Sequence, residues 1–255
     1  MIYEENPPNI VCLVGITDPG HVRAIRPYAA RYAGRYWIMI AATITFKNGA
    51  FAIPANLAAL FERDLDTGAD GARIGNVLYF ETDDPSTLSG QLIEAKRLGG
   101  EHVDAILLNV PWPPVESLAE FRDLHPGIKL FLKIGPEAFG QVSEKKYTLK
   151  SRLAKYRDVI DLVILKGKEQ GPYEALNLGA LEDLVGFLSE HMSLFFLAVA
   201  GKFDVSGKDP IRELLAVYPG LSLILYRKLL NDGGKFCLEH AIRFLDILPE
   251  LYGRN

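Results

Sequence analysis

The sequence predicts an α/β fold, a single (β/α)₈ TIM barrel that forms one domain over residues 1–255. Length is the first reason, because 255 residues is close to the size of about 250 residues that is typical of this architecture. The second reason is a repeated alternation of short apolar runs with longer amphipathic stretches. Nearly continuous apolarity within a run indicates burial on both faces, as in a parallel sheet that helices cover. The eight runs are Ile10–Ile16, Tyr36–Ala42, Val77–Glu81, Ala105–Val110, Lys129–Ile134, Leu162–Lys166, Leu194–Ala200 and Leu221–Tyr226.

Helix signals follow these runs where the barrel requires helices. The start signals are Asp18-Pro19, Ser86, Pro136-Glu137 and Asp209-Pro210. An open doubly wound sheet with helices on both faces is the alternative. Two irregular regions, Thr43–Asn56 and Gly68–Asn76, interrupt the alternation. Long loops of this kind are either functional or insertions without consequence.

Charge and cysteine content exclude several functional classes. A net charge of −4 gives no general electrostatic attraction to nucleic acid or to anionic lipid. The amino terminus lacks the basic region of a signal peptide, and no window holds the roughly 18 uninterrupted apolar residues of a membrane helix. Cys12 and Cys237 are far apart, which predicts two free thiols in a reducing cytoplasm rather than a disulfide or a zinc site. We therefore expect a cytoplasmic protein without a metal or other cofactor, and the sequence indicates no particular oligomeric state.

The residues that end the predicted strands locate the functional site. In a barrel of this type the ligand lies at the carboxyl ends of the strands, where the loops are free to vary. The first half of the chain supplies acids and hydroxyls there, and the second half supplies mainly cations. Such a half-rim of cations suits a small anionic metabolite, a phosphate or a carboxylate, although loop lysines are commonly solvated or paired instead. The residues at the rim are Thr17, Asp18, Thr43, Thr45, Glu81, Asp83, Asn109, Lys133, Lys166, Lys168, Gly201, Lys202, Arg227 and Lys228.

Lys133 and Lys166 stand out because each directly ends an apolar run. A lysine at a buried strand end, next to a second ammonium group, is a candidate Schiff-base nucleophile. A lysine that neutralises a ligand or forms a salt bridge is the alternative. Asn109 starts a proline-rich loop, where it is a candidate hydrogen-bonding partner for a ligand with Trp112 as a wall, or part of a plain helix-start turn. The five histidines fall in predicted helices or at their ends, which argues against histidine-based catalysis.

At these strand ends the chain resembles phosphoribosylanthranilate isomerase, a ribulose-phosphate-binding barrel. Val14-Gly15-Ile16-Thr17 is similar to the family's Cys-Gly-Ile-Thr motif on the first strand. Ala198-Val199-Ala200-Gly201 resembles the seventh-strand Leu-Ala-Gly-Gly, and Asp161–Lys166 resembles the sixth strand. Further similar segments are Val103–Asn109, Leu124–Ile134 and Asp232–Lys235. The resemblance implies a (β/α)₈ barrel with an anion site at its mouth.

The resemblance also implies where the chemistry differs. The family's general base, the cysteine of its first motif, is replaced by Val14, and its general acid on the sixth strand by Lys166. The phosphate-binding Ser-Ser-Gly of the eighth strand becomes Ile224-Leu225-Tyr226, the second seventh-strand glycine becomes Lys202, and the fourth-strand histidine becomes Asn109. An Amadori-type isomerisation needs one group that accepts a proton and one that donates it, and valine can do neither.

Three functional hypotheses remain. The first is an isomerase or lyase with altered chemistry, in which Lys166 and Lys133 are reactive or charge-neutralising and Asp18 or Glu81 is the acid or base. Its ligand contacts are Thr17, Glu81, Asn109, Gly201, Lys202 and Arg227. The second is a non-catalytic barrel that binds a ligand or a partner. The third is a genuine phosphoribosylanthranilate isomerase that uses Cys12 or Asp18.

Overall fold

A computed structural model describes residues 9–32, 34–61, 74–142, 145–166, 178–192, 196–201, 208–226 and 235–253. Within these residues, eight parallel strands form a closed barrel and a ninth, antiparallel strand extends one of them. The barrel strands are β1 (Asn9–Val14), β2 (Tyr36–Lys47), β4 (Gly75–Thr82), β5 (Ala105–Leu108), β6 (Lys129–Ile134), β7 (Leu162–Lys166), β8 (Phe196–Gly201) and β9 (Ser222–Leu225), and the added strand is β3 (Ala50–Ala52).

Closure of the sheet confirms the predicted fold class. β1 pairs in parallel with β2 on one side, where Cys12 lies opposite Met39, and with β9 on the other, where Cys12 lies opposite Ile224. The remaining barrel strands follow in chain order from β2 to β9. An open doubly wound sheet would leave two unpaired edges in these strands. The alternative is therefore excluded, and each of the eight apolar runs contains a barrel strand.

Helices follow the strands in the alternation that the sequence predicts. In the described part of the chain they are α1 (Pro19–Arg31), α2 (Leu57–Leu60), α3 (Leu88–Gly99), α4 (Val115–Leu124), α5 (Pro136–Gly140), α6 (Lys146–Leu153), α7 (Leu178–His191), α8 (Lys208–Val217), α9 (Leu238–Asp246) and α10 (Leu248–Leu251), with 3₁₀ turns at Pro85–Thr87 and Ala154–Tyr156. Asp18 caps α1, since its carboxylate accepts a hydrogen bond of 2.7 Å from the Gly20 N–H.

Two separate apolar cores hold the barrel together. The larger lies between the outer face of the sheet and the helices, and includes Leu13, Phe80 and Phe121. The smaller fills the barrel interior, where Cys12 and Phe131 are almost inaccessible to solvent. Because side chains alternate across a strand, each barrel strand contributes to both cores. The interior is packed up to the level where its strands approach their carboxyl ends.

The region Thr43–Asn56 is not the irregular loop that the sequence predicts. β2 continues to Lys47 and turns back through Asn48-Gly49 into β3, with Thr45 opposite Ala52. Asn48 and Gly49 both have positive φ angles, of 52° and 78°, as a two-residue hairpin turn requires. The second irregular region is also shorter than expected. Gly75 and Asn76 belong to β4, and residues 68–73 lie outside the described residues.

Buried polar contacts at the amino ends of β6 and β7 fix the lower rim of the barrel. The Asp161 carboxylate accepts hydrogen bonds from both terminal nitrogens of Arg122, at 2.9 and 3.2 Å. It also accepts from Lys129 Nζ at 3.2 Å and from the Leu130 N–H at 2.9 Å. Burial opposes ionisation of Asp161, but these donors outweigh it and lower the pKa of the carboxyl below its ordinary value. Polar groups at this end of a barrel contribute stability rather than function.

Candidate ligand site at the barrel mouth

A polar layer lies directly above the apolar interior of the barrel. Side chains two residues apart on a strand point to the same face, so each residue two positions beyond an interior one points into the mouth. The interior residues Ala41, Tyr79, Leu107, Phe131, Ile164 and Ile224 are in this way followed by Thr43, Glu81, Asn109, Lys133, Lys166 and Tyr226. The structure thus brings together four of the sequence-predicted site residues, namely Glu81, Asn109, Lys133 and Lys166.

A hydrogen-bonded chain joins three neighbouring strands across this layer. Lys133 Nζ donates to Asn109 Oδ1 at 2.7 Å, and Asn109 Nδ2 donates to Glu81 Oε1 at 2.6 Å. Lys133 is buried, with a relative exposure of 9%, while Asn109 and Glu81 are half-buried. The amide of Asn109 therefore connects a cation on one strand with a carboxylate two strands away.

Two tyrosines enclose the ammonium group of Lys133. Its Nζ donates to the Tyr79 hydroxyl at 2.8 Å and lies 5.3 Å and 5.1 Å from the ring centroids of Tyr79 and Tyr226. The two rings contact each other edge to face at 5.5 Å. Burial and the charge of Glu81 raise the pKa of the Tyr79 hydroxyl well above its ordinary value, and burial does the same for the pKa of Tyr226. Both phenols are therefore neutral, and their rings stabilise the lysine as a cation.

Lys166 is more exposed than Lys133. It is half-buried, ends β7 opposite Ala200, and places its Nζ 5.9 Å from the Tyr226 ring. Both ammonium groups thus lie within 6 Å of one aromatic ring. The mouth of the barrel carries two positive charges on adjacent strands, one enclosed and one nearer to its edge.

A cavity of about 510 Å³ opens at the same end of the barrel. Thr17, Thr43 and Thr45 line it together with residues 52–56, which begin at the last residue of β3. Thr45 is paired in register with Glu81, so the cavity is next to the carboxylate end of the hydrogen-bonded chain. Its volume is within the range of about 300–1,000 Å³ that is common for small-molecule sites.

The loop after β5 holds Asn109 in position. Trp112 has a φ of 47°, which is uncommon for a residue with a side chain and persists only where contacts enforce it. Its indole N–H donates to the Ala138 carbonyl at 2.7 Å, and the Tyr156 hydroxyl donates to the Pro113 carbonyl at 2.7 Å. Trp112 packs in the outer core rather than forming a wall of the mouth, so its contribution is to the rigidity of this loop.

The other sequence-predicted residues take different positions. Thr17 lines the cavity, whereas Asp18 is exposed and engaged in capping α1. Gly201 ends β8, and its carbonyl accepts a hydrogen bond from the Tyr226 N–H. Lys202 and Arg227 lie outside the described residues. Cys12 is completely buried two residues below Val14, and burial raises the pKa of its thiol far above the ordinary value.

Sequence reasoning missed Tyr79, and it treated Tyr226 only as a replacement for a phosphate-binding residue. Residues 52–56 lie within Thr43–Asn56, the region for which the sequence analysis left a functional role open. A signal for Tyr79 exists, since it lies two residues before Glu81 on the same face of one strand. Among the residues that the structure describes, no group of three or more His, Cys, Asp or Glu side chains is arranged to hold a metal ion. None of the described helices is both long and apolar enough to cross a bilayer.

Comparisons with known proteins define the class of protein by its fold. No family model matches the chain, and no curated protein is similar to it in sequence. A psychrophilic family 10 endo-β-1,4-xylanase matches with a TM-score of 0.51 at 10% identity, over 92% of this chain and 96% of the xylanase. The catalytic domain of a chitinase from Pyrococcus furiosus matches with a TM-score of 0.56 at 12% identity, over 98% of both chains.

An octameric ribulose-1,5-bisphosphate carboxylase/oxygenase from Pyrococcus horikoshii OT3 matches with a TM-score of 0.57 at 13% identity, over 98% of this chain and 61% of the other. At such identities these similarities establish the architecture alone. The chain is a (β/α)₈ barrel, and its function has to be argued from the residues at its mouth.

Proposed function

We propose that this barrel binds a small anionic metabolite at its mouth and acts on it by chemistry other than the isomerisation of the family it resembles. The observation that carries the proposal is the enclosed cation. Lys133 is buried, has two neutral oxygen acceptors at 2.7–2.8 Å and points toward the mouth beside a second lysine. Two positive charges in a site of low dielectric attract an anion more strongly than they would in water. A cavity lined by Thr17, Thr43 and Thr45 opens at the same end of the barrel.

The altered chemistry follows from the residues on the first strand. Val14 occupies the position of the family's general base and cannot accept a proton. Cys12 is fully buried below it, and its thiol has a strongly raised pKa, so it is neither accessible nor ionised. The Asp18 carboxylate is occupied at the start of α1. Among the residues described, Glu81 is the carboxylate that faces the mouth, and it is the best candidate for moving a proton. Two free cysteines support a reducing compartment such as the cytoplasm.

Stabilisation of the folded protein by anions tests this proposal. Inorganic phosphate, pyruvate and glycerol 3-phosphate are each added at constant ionic strength, and the melting temperature is compared with that in glycerol and in methyl pyruvate, which carry no charge. At least one anion is expected to raise the melting temperature, while its neutral counterpart has no effect. At a concentration of 100 times Kd, the bound anion adds about 2.7 kcal/mol to the free energy of unfolding. Equal responses to charged and neutral compounds, or no response to any anion, would contradict the proposal.

Turnover separates the proposed chemistry from the family's own reaction. Phosphoribosylanthranilate is fluorescent, and we expect its fluorescence to stay constant in the presence of the protein beyond the spontaneous rate. Catalysed loss of the fluorescence by the wild type would overturn this part of the proposal. If only one of the variants Cys12→Ser and Asp18→Asn then lost this activity, the residue changed in that variant would be the base that replaces Val14.

Binding without turnover is the second candidate. It is favoured by the internal pairing of the polar layer, since Asn109 already bonds to Glu81 and to Lys133. An acid–base group that is committed to a neighbouring side chain must exchange that bond before it can serve a substrate. Under this candidate, anions stabilise the protein as described above, but the protein converts none of them to a product.

A further inference from the structure

We infer that Lys166 is the nucleophilic amine of this site and Lys133 its fixed cation, and that the ligand is a small oxo acid, a carboxylate that also carries a carbonyl group. This assignment rests on the proposed function, because it places the carbonyl carbon of the bound anion at Lys166. It separates two lysines that the sequence alone leaves equivalent.

The surroundings of Lys133 stabilise its charged form. Its ammonium group donates to two oxygens and lies over the faces of two tyrosine rings. A nucleophilic lysine needs a neutral nitrogen with its lone pair directed at a carbonyl carbon. Removing a proton from Lys133 would weaken two hydrogen bonds and two cation–π contacts together. Lys133 is therefore suited to attract a carboxylate and not to attack a carbonyl.

Lys166 differs in position and in access. Ile164 is the β7 residue paired with Lys133, and Lys166 lies two residues further along the strand, roughly 6–7 Å nearer to the carboxyl end. It is half-buried rather than buried. Its Nζ borders the same Tyr226 ring as that of Lys133, at 5.9 Å from the centroid. A small molecule above this ring can thus direct its carboxylate toward Lys133 while its carbonyl carbon meets Lys166.

The covalent step is complete with the groups of this site and water. The ammonium group of Lys166 first gives one proton to water. The lone pair of its Nζ then adds to the carbonyl carbon, and a carbinolamine forms as the C=O bond becomes C–OH. The C–O bond then breaks, the oxygen leaves as water with the two protons that the nitrogen carried, and a C=N bond remains. No oxidant or reductant takes part. Return of one proton from water to the imine nitrogen gives an iminium, which can accept electrons from an adjacent bond, and this is the basis of lyase and isomerase chemistry on oxo acids.

Borohydride trapping of the full-length protein tests the assignment. The protein is treated with sodium borohydride in the presence of pyruvate, glyoxylate or 2-oxoglutarate, and peptide mass mapping locates the reduced adduct. We expect at least one oxo acid to give one reduced adduct per protein molecule, located on Lys166. Lys166→Arg should remove the label while retaining the charge, and methyl pyruvate should label less than pyruvate. Lys133→Met should reduce the labelling rate, whereas Lys155→Met, which removes an exposed lysine preceding β7, should not.

The outcomes distinguish this inference from the proposed function. Adduct on Lys133, adduct spread over surface lysines, or no adduct with any of the three oxo acids overturns the assignment. If pyruvate nevertheless raises the melting temperature, the anion site stands and only the covalent role of Lys166 is lost. If neither labelling nor stabilisation occurs with any anion tested, both proposals are wrong.

Discussion

Replacing Lys133 with methionine is expected to weaken the binding of a stabilising anion such as pyruvate by about 10- to 150-fold, because a hydrogen-bonded charge contributes about 1.5–3 kcal/mol. Methionine keeps most of the length and apolar volume of lysine, so the tyrosine rings retain a packing partner. What is lost is the enclosed positive charge and both of its hydrogen bonds. Isothermal titration calorimetry of the wild type and the variant with the same anion measures the difference.

Lys155→Met is the matched control for this experiment, since it removes the same charge from an exposed position before β7. Its affinity for the anion is expected to stay within a factor of two or so of the wild type, because exposed charges beyond about 8–10 Å are screened at physiological ionic strength. Equal losses of affinity in the two variants would show that binding reports overall charge. Unchanged affinity in Lys133→Met would show that Lys133 does not contribute to anion binding.

Asp161→Asn is expected to give the largest loss of stability, about 2–4 kcal/mol in the free energy of unfolding. The substitution keeps the shape of the side chain but removes the charge that compensates Arg122, whose side chain is only 18% exposed. It also places an amide N–H₂ among groups that donate hydrogen bonds, including the Leu130 N–H. Urea denaturation followed by circular dichroism gives the difference, provided that the slope of unfolding free energy against urea is unchanged.

The neighbouring pair of Arg157 and Asp158 provides the control. Its side chains are 60% and 83% exposed, so Asp158→Asn should change the unfolding free energy by less than about 0.5 kcal/mol. A loss in Asp158→Asn as large as that in Asp161→Asn would mean that net charge, rather than the buried contacts at the lower rim, determines stability.

The same carboxylate predicts a pH dependence. The pKa of Asp161 is lowered in the folded protein, whereas an unfolded aspartate titrates near a pKa of about 3.9. Its contribution is therefore fully present above that unfolded value and is lost as the pH falls through the lower, folded pKa. Stability curves measured between pH 6 and the acid transition should fall less steeply in Asp161→Asn than in the wild type. Parallel curves for the two proteins would contradict the assignment.

Much of the fold and part of the site follow from local patterns. The eight apolar runs fix the strands, and the two-residue alternation along each strand places Lys133, Lys166 and Glu81 on the inner face. Closure then brings them to one mouth. The hairpin after β2 is also encoded locally, by Asn48-Gly49, although the sequence analysis predicts an irregular region there.

The contacts within the site depend on neighbours that are remote in sequence. Lys133 meets Tyr79 across 54 positions of the chain, and the Tyr226 ring reaches the same ammonium group from the eighth barrel strand. Whether a rim lysine is enclosed or accessible is decided by such partners, and no periodicity within one strand encodes them. The different surroundings of Lys133 and Lys166 therefore arise only when the barrel is closed.

The thiol of Cys12 is completely buried in the barrel interior, so its chemical modification reports opening of the barrel. A thiol reagent can modify this side chain only in molecules whose strands have separated. In a Cys237→Ser background, the modification rate therefore measures the frequency of local opening of the sheet. A ligand that contacts several strands at the mouth would stabilise the closed barrel and lower the rate of modification. The modification rate of Cys12 thus detects a ligand bound at the mouth even when the reaction is unknown.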